Sequence, residues 1–171
     1  SYHDLTFKFS DNQYIKHCNQ NVYKYLGIMF HPNVQTSTNF HQQYIEQKVK
    51  QKLSSLESIL HLLPPNLLIR FLNTTIVPMI TYGAAVLKYQ KTWIQKIQSI
   101  INRLVKRNLK LVRTSPDIML YTPNYAGGMG LKPIKTQIHI QVLDSIHYVL
   151  NHFQHSISYQ SLYMLILNQM T

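Results

Sequence analysis

The stretch from Thr92 to Val112 constrains the fold of this chain more than any other. Stepping about 100° per residue from Trp93, the side chains of Trp93, Ile94, Ile97, Ile100, Ile101, Leu104, Val105 and Leu109 fill one arc. Lys96, Arg103, Lys106, Arg107, Lys110 and Arg113 fill the complementary arc. A pattern of this period specifies an amphipathic helix with its apolar side against a core. The charged side is unusual in its sign. Between Glu57 and Asp117 stand nine basic residues (Arg70, Lys88, Lys91, Lys96, Arg103, Lys106, Arg107, Lys110, Arg113) and no acid. An ordinary solvated face mixes both signs, so a one-sided face is either a solubilising surface or the footprint of a polyanion.

The rest of the composition agrees. Lys and Arg number 17 against 6 Asp and Glu, a net charge of +11, within a globular composition of 45% hydrophobic residues. Nucleic acid and an anionic membrane surface are the two partners that such a charge attracts. The longest uncharged apolar stretch before the tail, Phe71 to Leu87, is interrupted by Asn73, Thr74, Thr75, Pro78, Thr81 and Gly83. A bilayer-crossing helix needs about 20 mostly apolar residues, so a membrane span is rejected. Of the two partners nucleic acid is the one expected, with no membrane, and surface binding is the alternative. The single cysteine, Cys18, excludes a disulfide framework. With no signal-peptide pattern visible, an intracellular location, nucleus or cytoplasm, is the expectation.

Along the chain the hydrophobic period changes once. Leu5, Phe7 and Phe9 alternate with polar residues, Tyr14-Ile15 is a second short run, and Ser10-Asp11-Asn12 and Asn19-Gln20-Asn21 are turn signals. Val22 to Phe30 reads as one strand with Leu26, Ile28 and Phe30 on a face and Gly27 marking a bulge or a close backbone approach. From about residue 39, where Asn39 and Gln42 resemble a capping box, Ile45, Val49, Leu53, Leu56, Ile59, Leu60 and Leu63 recur at helical spacing. Pro64-Pro65 opens a second helix through Leu68, Phe71, Leu72, Ile76 and Ile80 to about Leu87, which Pro78 must kink or break. After the third helix come a loop with Gly127, Gly128 and Gly130, a fourth helix from Val142 to Phe153, and an apolar run from Leu162 to Leu167. The expected fold is α+β and predominantly α. It divides into a β element (1–36), a helical bundle (37–115), and a Gly-rich loop with C-terminal helices (116–171).

Three motifs occur in a fixed order: Tyr25-Leu26-Gly27-Ile28 after Tyr23-Lys24, then Ile76-Val77-Pro78-Met79-Ile80-Thr81-Tyr82-Gly83, then Leu120-Tyr121-Thr122-Pro123 with Gly127-Gly128-Met129-Gly130-Leu131. In this order they resemble the segment of non-LTR (LINE-type) retrotransposon reverse transcriptases that runs from the end of the palm through the thumb. Met129 stands where that family usually has Leu. The resemblance covers roughly residues 5–135. It implies a primer-grip strand at Tyr25-Leu26-Gly27, with Lys24, Tyr25 and Gly27 near the primer, and a three-helix thumb. It also implies RNA and DNA, as a template–primer duplex, and the remainder of a parent polymerase as partners. Under the same reading Lys96, Arg103, Lys106, Arg107, Lys110 and Arg113 meet sugar–phosphate backbone, which positions a duplex without reading its sequence.

The chemistry of polymerisation is not expected in these residues. Two Mg²⁺ ions need clustered carboxylates, whereas Asp4, Asp11, Glu46, Glu57, Asp117 and Asp144 are scattered singly. The family's aromatic-x-Asp-Asp signature does not occur. The resemblance implies that the catalytic carboxylates and their Mg²⁺ lie upstream of Ser1 in a parent protein, and that this chain carries no cofactor. His147, His152 and His155 have no metal-site spacing, and no nucleophile motif is present. The glycine run is expected to be a tight turn, not a phosphate cradle, because it lacks the P-loop and dinucleotide patterns. Two other functions remain open. One is a stand-alone, non-catalytic maturase-like RNA-binding module; the other is a basic helical scaffold that contacts proteins or membranes and never binds nucleic acid.

Overall fold

The computed structural model describes residues 22–152 together with the backbone of Phe7–Lys8 and Tyr14–Ile15. The fold is α+β and mostly helical, with short antiparallel β pairs ahead of the helices. The turn signals at 10–12 and 19–21, Cys18, Phe153, His155 and the apolar run at 162–167 lie outside the described residues. By its internal contacts the chain separates into residues 1–41 and residues 42–171.

In the first unit β1 (Phe7–Lys8) pairs with β2 (Tyr14–Ile15), and β3 (Tyr23–Tyr25) with β4 (Ile28–Phe30), both antiparallel. The single strand expected over Val22–Phe30 is therefore a hairpin. Its two-residue turn is Leu26-Gly27, with φ of 46° and 86°. Positive φ at both central residues is the turn whose twist matches a right-handed strand pair. Glycine reaches that conformation freely and leucine does not, yet Gly27 fixes the corner. Leu26 thus leaves the face it was expected to share with Ile28 and Phe30 and becomes exposed, while Ile28 is buried. Tyr23 stacks on Phe30 with ring centroids 5.7 Å apart.

Helix α1 (Val34–Glu57) starts five residues before Asn39. Asn33 is the cap: its Oδ1 accepts from Thr36 N–H at 3.0 Å, and its carbonyl accepts from Ser37 N–H at 3.0 Å. The Ser37 hydroxyl accepts from His31 N–H at 2.6 Å. One turn further on, His41 is buried and its Nδ1 lies 3.4 Å from Met29 N–H. Burial disfavours the charged imidazolium and lowers this histidine to about 4. An unfolded histidine titrates near 6.5, so between those two values the unfolded chain binds a proton that the folded chain refuses. Stability is therefore complete above pH 6.5 and declines as the pH falls toward 4, by about 3 kcal/mol. Melting temperatures recorded across that window should fall in the natural protein and stay nearly flat in His41→Gln.

In the second unit the rest of α1 buries Ile45, Val49 and Leu53. A 3-10 turn, Leu60–Leu62, leads into α2 (Pro65–Phe71), which has Pro65 in its first turn where the missing N–H costs nothing. The helix expected to continue to Leu87 changes form at Leu72–Ile76, a π-helical segment in which Val77 N–H reaches the carbonyl of Leu72. Pro78 explains the position of that widened turn. A proline ring collides with the carbonyl four residues back in an α-helix, and a π turn just before it relieves the collision. Helix α3 (Val77–Thr81) follows and stops at Tyr82-Gly83, where turns take over. Leu68, Leu72, Ile76 and Ile80, spaced by four, are all fully buried.

Helix α4 (Lys91–Asn108) buries the predicted stripe: Trp93, Ile97, Ile101, Leu104 and Val105 are all inside. It ends four residues before Val112. Lys110 takes φ of 54°, Leu111 N–H bonds the carbonyl of Lys106 at 2.9 Å, and Lys110 N–H bonds that of Arg107 at 3.1 Å. This is a Schellman closure with lysine where glycine is usual. Short α5 (Ile118–Tyr121), the glycine segment and α6 (Ile134–His152) complete the unit, α6 starting eight residues before the expected Val142. Among the described residues no helix is long and apolar enough to cross a membrane.

Candidate nucleic-acid interface

The six cations assigned to one arc do not behave alike. Lys106 is only 9% exposed. Its ammonium donates to the carbonyls of Arg113 (3.1 Å) and Ser115 (2.5 Å) and pairs with Asp117 Oδ1 at 2.6 Å. An ammonium has three protons, and all three point at protein acceptors. Lys106 therefore leaves the set of expected phosphate contacts. Geometry on the helix gives the reason. Gln98, Asn102 and Lys106 lie at about 140°, 180° and 220° from Trp93, a row at four-residue steps along the border of the apolar arc. That border faces the returning chain.

The whole row is used. Gln98 Oε1 accepts from Ile134 N–H at 2.7 Å, and its amide donates to Asn102 Oδ1 at 2.8 Å. The Asn102 amide donates to Asp117 Oδ2 (2.9 Å) and to the Tyr121 hydroxyl (2.6 Å). Desolvation raises the Tyr121 phenol, the Asn102 bond opposing it and the Asp117 charge adding to it. Farther along, the Asn108 amide donates to the carbonyls of Leu60 (2.7 Å) and Leu63 (3.0 Å). None of these amides stood out in the sequence. For Gln98 and Asn102 the signal that could have found them is the polar row itself, too close to the apolar arc for a solvated face; for Asn108 it is an amide at about 60°, inside that arc.

Lys96 and Arg107 are exposed but paired. Lys96 shares Glu46 with Lys50, both at 2.7 Å, and Arg107 holds Glu57 at 2.6 Å. The hydrogen bonds from Lys50 and Lys96 hold the Glu46 carboxyl below its ordinary range, so it is ionised at neutral pH. These acids come from α1, outside the acid-free interval, and a count along the sequence could not place them beside α4. Exposed pairs of this kind contribute little stability, about 0–1 kcal/mol each, but they lower the charge offered to a ligand.

Arg103, Lys110 and Arg113 remain. All three are exposed, and no carboxylate among the described residues lies within ion-pairing distance. Arg103 lines two depressions. One, about 340 Å³, lies between α1 and α4 with Lys50, Glu57 and Arg107 on its walls; the other, about 230 Å³, is shared with Arg113. In the first unit, Lys24 and Tyr25 are exposed on β3 and Gly27 sits at the hairpin corner.

The glycine segment donates nothing outward. The N–H groups of Gly127, Gly128, Met129, Gly130 and Leu131 bond the carbonyls of Asn124, Pro123, Met119, Thr122 and Leu120. With each amide occupied, a phosphate finds no backbone donors there. Asn73 clasps the far end, donating to Gly130 O at 2.8 Å and accepting from Lys132 N–H at 2.9 Å. No group of three or more potential metal-ligating side chains occurs among the described residues.

A scan of protein-family models, a search of curated proteins and a search of solved structures each found no match to this chain.

Proposed function

We propose that this chain is the primer-grip and thumb portion of a non-LTR-type RNA-directed DNA polymerase, binding a template–primer duplex without sequence preference. The observation that carries the reading is the trio Arg103, Lys110 and Arg113, exposed on the last turns of α4 and the loop after it, with no carboxylate among the described residues within ion-pairing distance. The unit that holds them, residues 42–171, has fourteen Lys and Arg against four Asp and Glu. The three ordered motifs give the reading its family, and the hairpin corner at Gly27 adds a place where a sugar–phosphate end can approach backbone closely. The described carboxylates do not fit the Mg²⁺ chemistry of such an enzyme: Glu46 and Glu57 stand about three turns apart on α1 and Asp117 lies in the loop after α4, each paired with a cation. The metal ions belong to the parent's palm, and this chain's part is to hold and orient the duplex.

The test is binding of an RNA–DNA hybrid and of duplex DNA of several sequences in graded salt. Binding is expected to ignore sequence, and log K to fall linearly with log salt, by about 0.9 per phosphate neutralised on duplex DNA. Lys110→Gly makes the measurement sharper. Glycine suits the left-handed closing position of α4, so this variant should be more stable by about 1 kcal/mol while it binds more weakly. Affinity indifferent to salt, or no affinity at low salt, removes the reading and favours the protein-binding scaffold.

A further inference from the structure

The depression of about 230 Å³ beside α4 is lined by Ser99, Asn102, Arg103, Lys106, Arg113 and Asp117. Arg103 projects from the helix, whereas Arg113 comes from the loop that follows it. What brings the second arginine back to the first is Lys106. Its buried ammonium gathers the carbonyls of Arg113 and Ser115 and the carboxylate of Asp117 around one point, and Ser115 N–H closes a turn on Val112 O at 2.9 Å. The same pairing cancels the charge of Asp117, whose carboxylate is half exposed and would otherwise repel an anion at this spot. Asn102 holds the other oxygen of Asp117.

We propose that Lys106 is a positioning residue that builds a seat for a single backbone phosphate between Arg103 and Arg113. The proposal rests on the duplex-binding reading above and names the contact point within it. Two arginines lining one small pocket suit a phosphodiester, whose two free oxygens can accept a guanidinium donor from each. Lys106 itself does not reach the phosphate, because its protons are committed to the loop.

Two comparisons test this on the full chain, both reading the salt dependence of duplex DNA binding. Arg103→Ala and Arg113→Ala each remove an exposed side chain and should fold. If both grip one phosphate, the double variant loses about 0.9 in slope, one phosphate's worth, and the two single losses overlap. A loss near 1.8, with independent affinity losses, means two separate phosphates and overturns the seat. The second comparison uses Lys106→Met combined with Asp117→Asn, which dissolves the anchor without leaving a bare carboxylate. It should lose the same slope as Arg113→Ala, and adding Arg113→Ala to it should change nothing more. A lower melting temperature with the slope intact reduces Lys106 to a structural residue and overturns its positioning role. Where that variant does not fold, the arginine pair alone decides the seat. If the natural protein fails to bind duplex at all, the functional reading falls and the seat with it; binding with additive arginine losses sinks the seat alone.

Discussion

Gly128→Ala should destabilise the second unit by about 3 kcal/mol, at the upper end of what a single buried overlap costs. A Cβ at Gly128 would overlap the carbonyl oxygen and the Cβ of Thr122. Neither can yield cheaply, because the clash involves backbone, and the same carbonyl accepts from Gly130 N–H at 2.8 Å. Relief requires moving residues 128–131 away from 119–122, which breaks that ladder and strains the Asn73 clasp on Gly130 and Lys132. Gly127 provides the control. Nothing lies within 4 Å of a Cβ there, and only its φ of +80° resists substitution. Gly127→Ala should therefore cost about 1–2 kcal/mol, the ordinary left-handed penalty. Denaturant midpoints for the two variants check the contrast, and equal losses would mean that backbone conformation and not the Thr122 approach governs both sites.

Asn102→Leu should cost on the order of 3 kcal/mol, although leucine is a better helix former and similar in size. The loss comes from what Asn102 leaves behind. Gln98 loses the acceptor at 2.8 Å, Asp117 loses one of its two partners, and the Tyr121 hydroxyl loses a donor at 2.6 Å. Partly satisfied networks in a low-dielectric interior are worse than none. The phenol titration gives a second readout. The Asn102 bond favours the phenolate, so its removal should raise the already elevated Tyr121 further. Thermal denaturation together with ultraviolet titration of Asn102→Leu against Tyr121→Phe would separate the stability effect from the ionisation effect. An unchanged melting temperature would show that the polar row is solvated after all.

Much of the fold was legible in the residues. The stripe of α4 is legible because burial of one side of a helix leaves a periodic trace: Trp93, Ile97, Ile101, Leu104 and Val105 are buried, Ile94 and Ile100 flank them half-buried, and Leu109 falls just past the helix end. The mostly helical class with a small β element in front follows from the single change of period near residue 39. The tight glycine turn was legible too, since only glycine tolerates those angles and approaches. Misreadings fell where local signals compete. Asn39 reads as the cap, but Asn33 takes that place, because its side chain accepts from Thr36 N–H and the Ser37 hydroxyl ties the first turn back to His31 N–H. Leu26 reads as a strand residue by type, but the two-residue turn that Gly27 permits outweighs its preference. Pro78 was expected to disturb its helix; that the disturbance takes the form of a π turn ahead of it is a matter of backbone packing.

The sequence by itself determined that α4 would be a helix with one apolar and one basic side, and that the charge excess would be carried there. Tertiary structure alone decided what each charge does. Glu46 and Glu57 reach α4 from another helix, Asp117 returns from the loop, and so Lys96, Arg107 and Lys106 are occupied, while Arg103, Lys110 and Arg113 meet no carboxylate among the described residues. The physical reason is one of range. Helical period is set by neighbours within a turn or two, whereas ion pairing falls off over a few ångströms in space and takes no account of separation along the chain.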